Sequence, residues 1–451
     1  MLLHGFAPFT LVCRKMRNLR SLLAGLTVAA TVVPLEAQQL PPVRSLGQIT
    51  TVSTAGVLGS VSMVRALPNG AVLVNDVRHR QLLLFDANHV KLKTIADTSM
   101  ATGKSYGSAL GGLIGFSGDS SLFVDPSTLS MLVIDGKGDI ARVMAAPRPK
   151  DVNSMVGGPF GTPGLDPRGR VVCRNLVPPK SLSMNYAAPA RSVLKQQTED
   201  SALVYRIDLA TRALDTVAWV KVPVASGSLS ERPNGGLRAV ERTNPMPVVD
   251  DWALMPDGRV AVVRGADFHI DWIDMDGHVS SSPKIAHPWE RLTDDGKQQL
   301  LDSLNADRER RREALQKAGG NNRSTSATSV GGTPRAAPFM IVRSYLVGDV
   351  GRQAPPATEI VSEFVPAKEL PDYRPAFSIG ATRADQDGNI WVRTTTPSDK
   401  GAIYAVINEK GQLVDRVKVP FGRVISGFGP GVVYLGVLDE KGARLEKARI
   451  N

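Results

Sequence analysis

The stretch that decides the fold is Ser62-Met63-Val64-Arg65-Ala66-Leu67-Pro68-Asn69-Gly70-Ala71-Val72-Leu73-Val74-Asn75-Asp76, followed by Leu82-Leu83-Leu84-Phe85-Asp86 and Val90–Ile95. Two apolar runs flank Asn69-Gly70, and that dipeptide between such runs is a strong hairpin signal because both turn positions tolerate positive φ. Asp86-Ala87-Asn88 turns the chain again before a last strand. The result is a unit of four strands over residues 60–95.

The same order recurs along the chain. Asp257-Gly258 and Asp387-Gly388 stand where Asn69-Gly70 stands, and Arg168-Gly169 takes that part once more. The second turn returns after Asp135 and after Asp274. Further units fall at about 114–146, 160–220, 249–285, 376–419 and 422–450, six in all. The last has three evident strands, and Ile49–Ser53 is expected to supply its fourth. Sharing terminal strands in this way closes a radial array and removes its free edges. The expected fold is therefore all-β, a six-bladed β-propeller closed by the N-terminal strand, with a helical insertion.

Six blades of roughly 40–45 residues need fewer residues than the chain's 451, so the rest lies in insertions. Residues 176–200 are Pro/Ser/Lys-rich. Residues 293–317 read as a helix capped by Thr293, with Asp294 and Asp295 in its first turn and a thin stripe of Leu300, Leu301, Leu304 and Leu315. Residues 319–337 are low-complexity, so the whole of 286–337 is expected as an inserted helix with a mobile loop. Met340–Val347 and Glu359–Val365 look like an extra hairpin, which leaves seven blades as the structural alternative.

This repeat resembles the six-bladed β-propellers of the NHL and TolB-like group of exported bacterial proteins. The residues that carry the likeness are Leu67–Asp76 with Leu82–Asp86, and Asp385-Gln386-Asp387-Gly388-Asn389-Ile390-Trp391-Val392. The likeness covers most of residues 49–451. It implies a fold more than an activity, because such rings serve as enzymes, receptors and scaffolds alike.

Arg14, Lys15, Arg17 and Arg20 precede an apolar run from Leu22 to Val33 and then Pro34-Leu35-Glu36-Ala37. That is the layout of a secretory signal, residues 1–37, cleaved after Ala37; the run is shorter than the ~20 residues a membrane span needs. Met16 opens a more conventional signal than Met1. The expected mature chain, 38–451, is a single propeller domain, periplasmic or extracellular, with no membrane span. With 42% hydrophobic and 22% charged residues, wholesale disorder and a polytopic membrane protein are excluded. The formal charge of +11 falls to about +8 without the signal, and the basic residues form no stripe interleaved with aromatics, so nucleic acid is not an expected partner. Cys13 leaves with the signal and Cys173 stays alone, which rules out an intrachain disulfide.

Motifs of chemistry fail one by one. Gly103-Lys104-Ser105-Tyr106-Gly107 matches a nucleophile elbow, but no helix is expected after it. Asp274-Met275-Asp276-Gly277 and Asp385-Gln386-Asp387-Gly388 suggest calcium loops, yet the twelfth positions are Ile285 and Thr396. His269 and Asp271 share a strand face without an apparent third ligand. No cofactor and no metal site is expected, and no catalytic residue is singled out.

The remaining pattern is a row of polar residues where second strands end. The fifth residue after each turn glycine is Asn75, Arg174 and Arg393; Arg264 is the sixth, which reverses its face unless a bulge intervenes. Asp76 and Asp125 close the corresponding strands, and Arg65 lies on an innermost one. These seven residues are the candidate ligand site, with guanidinium forks suited to a carboxylate, phosphate or sulfated sugar. The alternative is that each Arg pairs with an acid of the next blade. The expected function is an exported, non-enzymatic propeller presenting its rim to an unidentified ligand or envelope protein, anionic in one reading. The alternative is a propeller enzyme, calcium-dependent and lactonase- or esterase-like, using Asp76, Asp125, Asn175 and Asp385.

Overall fold

Strand pairing follows the turn chemistry. In several turns the opening Asp or Asn accepts amide hydrogens two and four residues on. Asp385 Oδ1 accepts from Asp387 N and Asn389 N at 2.9 and 2.8 Å, and Asp135, Asp166, Asp274 and Asn408 do the same in their own turns. The carboxylate therefore fixes the loop by itself, and the glycine supplies the left-handed residue, as at Gly388 with φ +83°.

A computed structural model describes residues 40–53, 57–99, 105–158, 160–176, 194–197, 200–231, 237–317, 358–440 and 442–450. All of these belong to one compact unit, Gln38–Asn451. The expected signal (1–37), the sequence Gly103-Lys104, most of the 176–200 insertion, residues 319–337 and the strand Met340–Val347 lie outside the described residues.

The described chain is nearly all β, in sheets of four antiparallel strands with few helices, the make-up of a β-propeller. Sheet I is Met63–Ala66, Val72–Asp76, Gln81–Phe85 and Lys91–Ala96; sheet II is Gly112–Gly115, Ser121–Asp125, Ser130–Ile134 and Ile140–Ala145. Sheet III is Gly164–Leu165, Arg170–Arg174, Ser201–Asp208 and Leu214–Lys221; sheet IV is Asp251–Leu254, Val260–Arg264, His269–Ile273 and Val279–Ser281. Sheet V is Phe377–Ala384, Ile390–Thr394, Gly401–Ile407 and Leu413–Pro420, extended by Val43–Ser45 running parallel to its outer strand. Sheet VI is Arg423–Gly429, Val432–Asp439 and Gly442–Arg449, and Ile49–Thr51 pairs antiparallel with the last of these.

Each sheet is buried on both faces, so its middle strands read as unbroken apolar runs. Leu73, Leu82 and Leu84 enter a core shared with sheet II, while Val72, Val74, Leu83 and Phe85 enter one shared with sheet VI. The period-2 alternation of a strand thus feeds two cores at once. Four further cores lie between sheets II and III, III and IV, IV and V, and V and VI. Each fully buried Val, Leu or Phe contributes roughly 1.5–3 kcal/mol relative to exposure.

The helix runs Asp294–Lys317, and the Thr293 hydroxyl accepts from Gly296 N at 3.1 Å as its cap. A sheet of Leu194–Gln197, Ala225–Glu231, Leu237–Thr243 and Thr358–Phe364 stands apart, and none of the six cores draws on its described residues. Its strand Thr358–Phe364 pairs parallel with Leu237–Thr243, and the other half of the expected extra hairpin, Met340–Val347, lies outside the described residues. One helix face covers that strand: Leu301 is buried, the Arg308 guanidinium donates to Ser362 O and lies 3.9 Å from the Phe364 ring centre. Covering a strand in this way protects it from other strands. Residues 286–292, expected as part of a mobile loop, form a short ladder with 372–374, through Leu292 N to Asp372 O and Arg374 N to Glu290 O. No helix among the described residues is long and apolar enough to cross a membrane.

Candidate functional site

Register places the start of each first strand beside the end of each second strand: Met63 opposite Asn75, Gly112 opposite Val124, Asp251 opposite Val263, Phe377 opposite Thr394. In sheets I and II this edge is locked by carboxylates. Asp76, fully buried, accepts from Gly59 N, Ser60 N and the Ser60 hydroxyl at 2.7–3.1 Å and from Arg78 N and His79 N at 3.2 Å. Asp125 accepts from Gly107 N, Ser127 N and the Thr128 hydroxyl. Both acids tie the incoming loop to the turn leaving the second strand.

Asn75 closes a buried triangle. Its amide donates to Gly111 O at 2.8 Å, the Tyr106 hydroxyl donates to Asn75 Oδ1 at 3.0 Å, and Gly111 N donates to that hydroxyl at 2.9 Å. Burial pushes the Tyr106 phenol up to about 12. Arg65 lies farther along its strand, donating to Ile114 O and Gly118 O of the neighbouring sheet; burial pulls its guanidinium down to about 10, against the attraction of Asp119.

Sheets III to V differ. The first strand of sheet III has two residues, and Phe160 covers Arg174 in place of a longer one, with the guanidinium carbon 5.0 Å from the ring centre. Arg174 is 4% exposed, and its buried Nε has no hydrogen-bond partner among the described residues. Burial lowers it to about 10, offset in part by Asp251. Phe160 is fixed in turn, because the Trp252 indole donates to its carbonyl at 2.9 Å. Gly161 (φ +102°) passes so close to that indole that a Cβ there would overlap it.

Arg264 shares a face with Val260 and Val262, which pack toward sheet III, and its strand pairs without a bulge. The one-residue slip thus turns it into the same gap that Arg174 enters. There it is already held: Nη1 donates to Asp250 Oδ2 at 2.8 Å and Nε to Asp271 Oδ2 at 2.7 Å. These acids belong to its own sheet. His269 sits between Asp267 and Asp271, at 2.6 and 3.3 Å.

Asp251 escaped sequence reading. It opens sheet IV, is 2% exposed, and accepts from Thr382 N of sheet V at 2.8 Å; burial raises its carboxyl pKa against the pull of Arg383. The partner strand is irregular there, for Ser378–Ala381 leave the ladder between Phe377 and Thr382, with Gly380 at φ +73°. Such bulges re-aim side chains. Here Arg383 Nη1 donates to the bulge carbonyl Gly380 O and to Thr382 O. Arg393 is half-buried opposite Tyr404, on the face toward sheet VI. A signal was present: units one and two carry the acid at the second-strand exit, and unit four carries Asp250-Asp251 at the first-strand entry.

Asp385 sits at the opposite edge of its sheet, binding its own turn and the Trp391 indole at 2.9 Å. Asn175 Oδ1 accepts Leu203 N. Asp76, Asp125, Asn175 and Asp385 are therefore dispersed. Among the described residues no three His, Cys, Asp or Glu side chains converge on a metal position.

The chain matches no protein-family model and no curated protein. It is similar in structure to virginiamycin B lyase from Staphylococcus aureus, at 10% identity and TM-score 0.38, covering 89% of this chain and 99% of that one. A gluconolactonase from Xanthomonas campestris gives 11% identity and TM-score 0.39, covering 92% and 95%. A member of the DUF4221 family from Bacteroides vulgatus gives 9% identity and TM-score 0.45, covering 92% and 99%. All three scores lie below 0.5, so the fold description rests on the chain's own sheets and cores.

Proposed function

We propose that this chain is an exported six-bladed propeller, closed by Ile49–Thr51, that binds a ligand where the second strands of sheets III to V end. The six cores between successive sheets, the last joining sheet VI to sheet I, support six blades. The basic residues and short apolar run before Gln38 support export. The observation that carries the binding reading is Arg174, a buried cation whose Nε has no partner among the described residues, whereas the acids of sheets I and II are consumed by loop amides. A buried polar group without a partner costs about 1–3 kcal/mol, and a ligand that supplies the partner recovers it.

The test is a thermal-shift screen of the mature chain against metals, lactones, esters and acidic glycans, repeated with Arg174→Met. A ligand that binds the native state raises the melting point by mass action, and the shift should disappear in the variant. Shifts that survive the substitution would move the site elsewhere.

A propeller enzyme is the second reading, and Asp251 is what favours it. A fully buried acid with a raised pKa beside arginines is a candidate proton donor or acceptor. Turnover of a lactone, or elimination from a ligand, that stops in Asp251→Asn without loss of binding would select the enzyme.

A further inference from the structure

Resting on the binding reading above, we propose that the gap between sheets III and IV takes a small organic monocarboxylate, with Arg174 as its anchor. The choice of class follows from charge and shape. Arg264, which enters the same gap, is already held by Asp250 and Asp271, and Asp251 turns to Thr382 of sheet V, so among the described residues the Arg174 Nε lacks an acceptor, which a carboxylate oxygen would supply.

The geometry also selects. Arg174 offers the Nε edge of its guanidinium, and a carboxylate matches such an edge with two parallel hydrogen bonds. The other groups near the site are apolar or backbone: the Phe160 ring against the guanidinium, the Trp252 indole that holds the Phe160 carbonyl, and Ile379 of the sheet V bulge, which packs against the core between sheets III and IV. These fit the carbon skeleton of an organic acid better than a bare inorganic ion. Gly164 and Gly161 let the chain lie directly against Leu254 and Trp252, since a Cβ at either would run into them.

The experiment uses the mature chain and its tryptophan fluorescence, for Trp252 is hydrogen-bonded within the site. Glucuronate, benzoate, inorganic phosphate, sulfate and glucose are titrated at fixed ionic strength. The expected result is saturable binding of a carboxylate, weakened at least tenfold by Arg174→Met and unchanged by Arg168→Met, which removes a guanidinium paired with Asp276 at the opposite edge of the sheets. Circular dichroism and the melting point report whether Arg174→Met folds. Arg174→Lys provides a second variant, keeping the charge but losing the fork, and should weaken a carboxylate several-fold. Phosphate or sulfate binding as tightly as the carboxylates overturns the ligand class and leaves the site standing. Glucose binding that depends on Arg174 does the same. No Arg174-dependent binding by any probe overturns both the class and the binding reading.

Discussion

Replacing Asp76 by Ala removes the acceptor for five donors at once, and the structure allows the cost to be worked out. Gly59 N and Ser60 N are buried and depend on the carboxylate at 2.7 and 2.9 Å, whereas Arg78 and His79 are exposed enough for water to replace it. Two orphaned buried amides at about 1–3 kcal/mol each, less what the small cavity lets water recover, give a loss of about 3–4 kcal/mol. For a domain of roughly 400 residues the unfolding entropy is near 0.8 kcal/mol/K, so the melting point should fall by about 4–5 °C. Asp76→Asn keeps one acceptor oxygen but turns an NH2 toward the donors, and should cost about half as much. Differential scanning calorimetry on both variants, with and without added calcium, checks this. If Asp76→Ala melts within about 1 °C of the parent, the carboxylate is not the brace described above. If the loss appears only when calcium is present, the residue is a metal ligand after all.

Tyr106→Phe breaks the triangle with Asn75 and Gly111 and leaves a buried amide N–H without an acceptor; a loss of about 1–3 kcal/mol in chemical denaturation is expected. His287, flanked by Phe268 and Trp289, is lowered to about 4 by burial, with Arg416 adding to the effect. The unfolded chain takes up a proton near pH 6.5 that the folded chain refuses until about pH 4, so stability is complete above 6.5 and is lost as pH falls through that window. Since the ring is partly exposed, the loss is on the order of 1–2 kcal/mol, and the slope should flatten in His287→Gln. Thr293→Ala removes the helix cap and should cost about 1 kcal/mol locally, seen as faster amide exchange in Asp295–Gln298 while the six sheets keep their protection.

The sheets were legible because their turns are chemical. An Asp or Asn that caps its own loop, followed by a glycine, marks a hairpin regardless of what surrounds it, and that mark stands in the first five of the six units. Residues 225–243 were missed for the opposite reason: Ala225-Ser226-Gly227-Ser228 and Leu237-Arg238-Ala239-Val240 form strands without apolar runs, and their partner Thr358–Phe364 lies more than a hundred residues away. Val43–Ser45 is three residues long and pairs in parallel with a strand near the other end of the chain, which local patterning cannot signal.

The candidate site was half legible, and parity explains which half. Counting from the turn glycine gave each side chain its face. Position five looks toward the next sheet, as Asn75 does toward Gly111 and Arg174 toward sheet IV, and position six looks back, as Arg264 does. What counting cannot supply is the state of each partner. Arg174 and Arg264 enter one gap with the same charge, yet one is neutralised by two acids and the other has an idle Nε. The difference is set by Asp250 and Asp251, consecutive residues whose side chains point to opposite faces of the strand entry. The first serves sheet IV's own arginine, and the second crosses to Thr382 at the end of the sheet V bulge. The asymmetry among otherwise repeated units therefore sits in one dipeptide, and exchanging its two positions (Asp250→Asn against Asp251→Asn) should affect Arg264 and the Arg174 site separately.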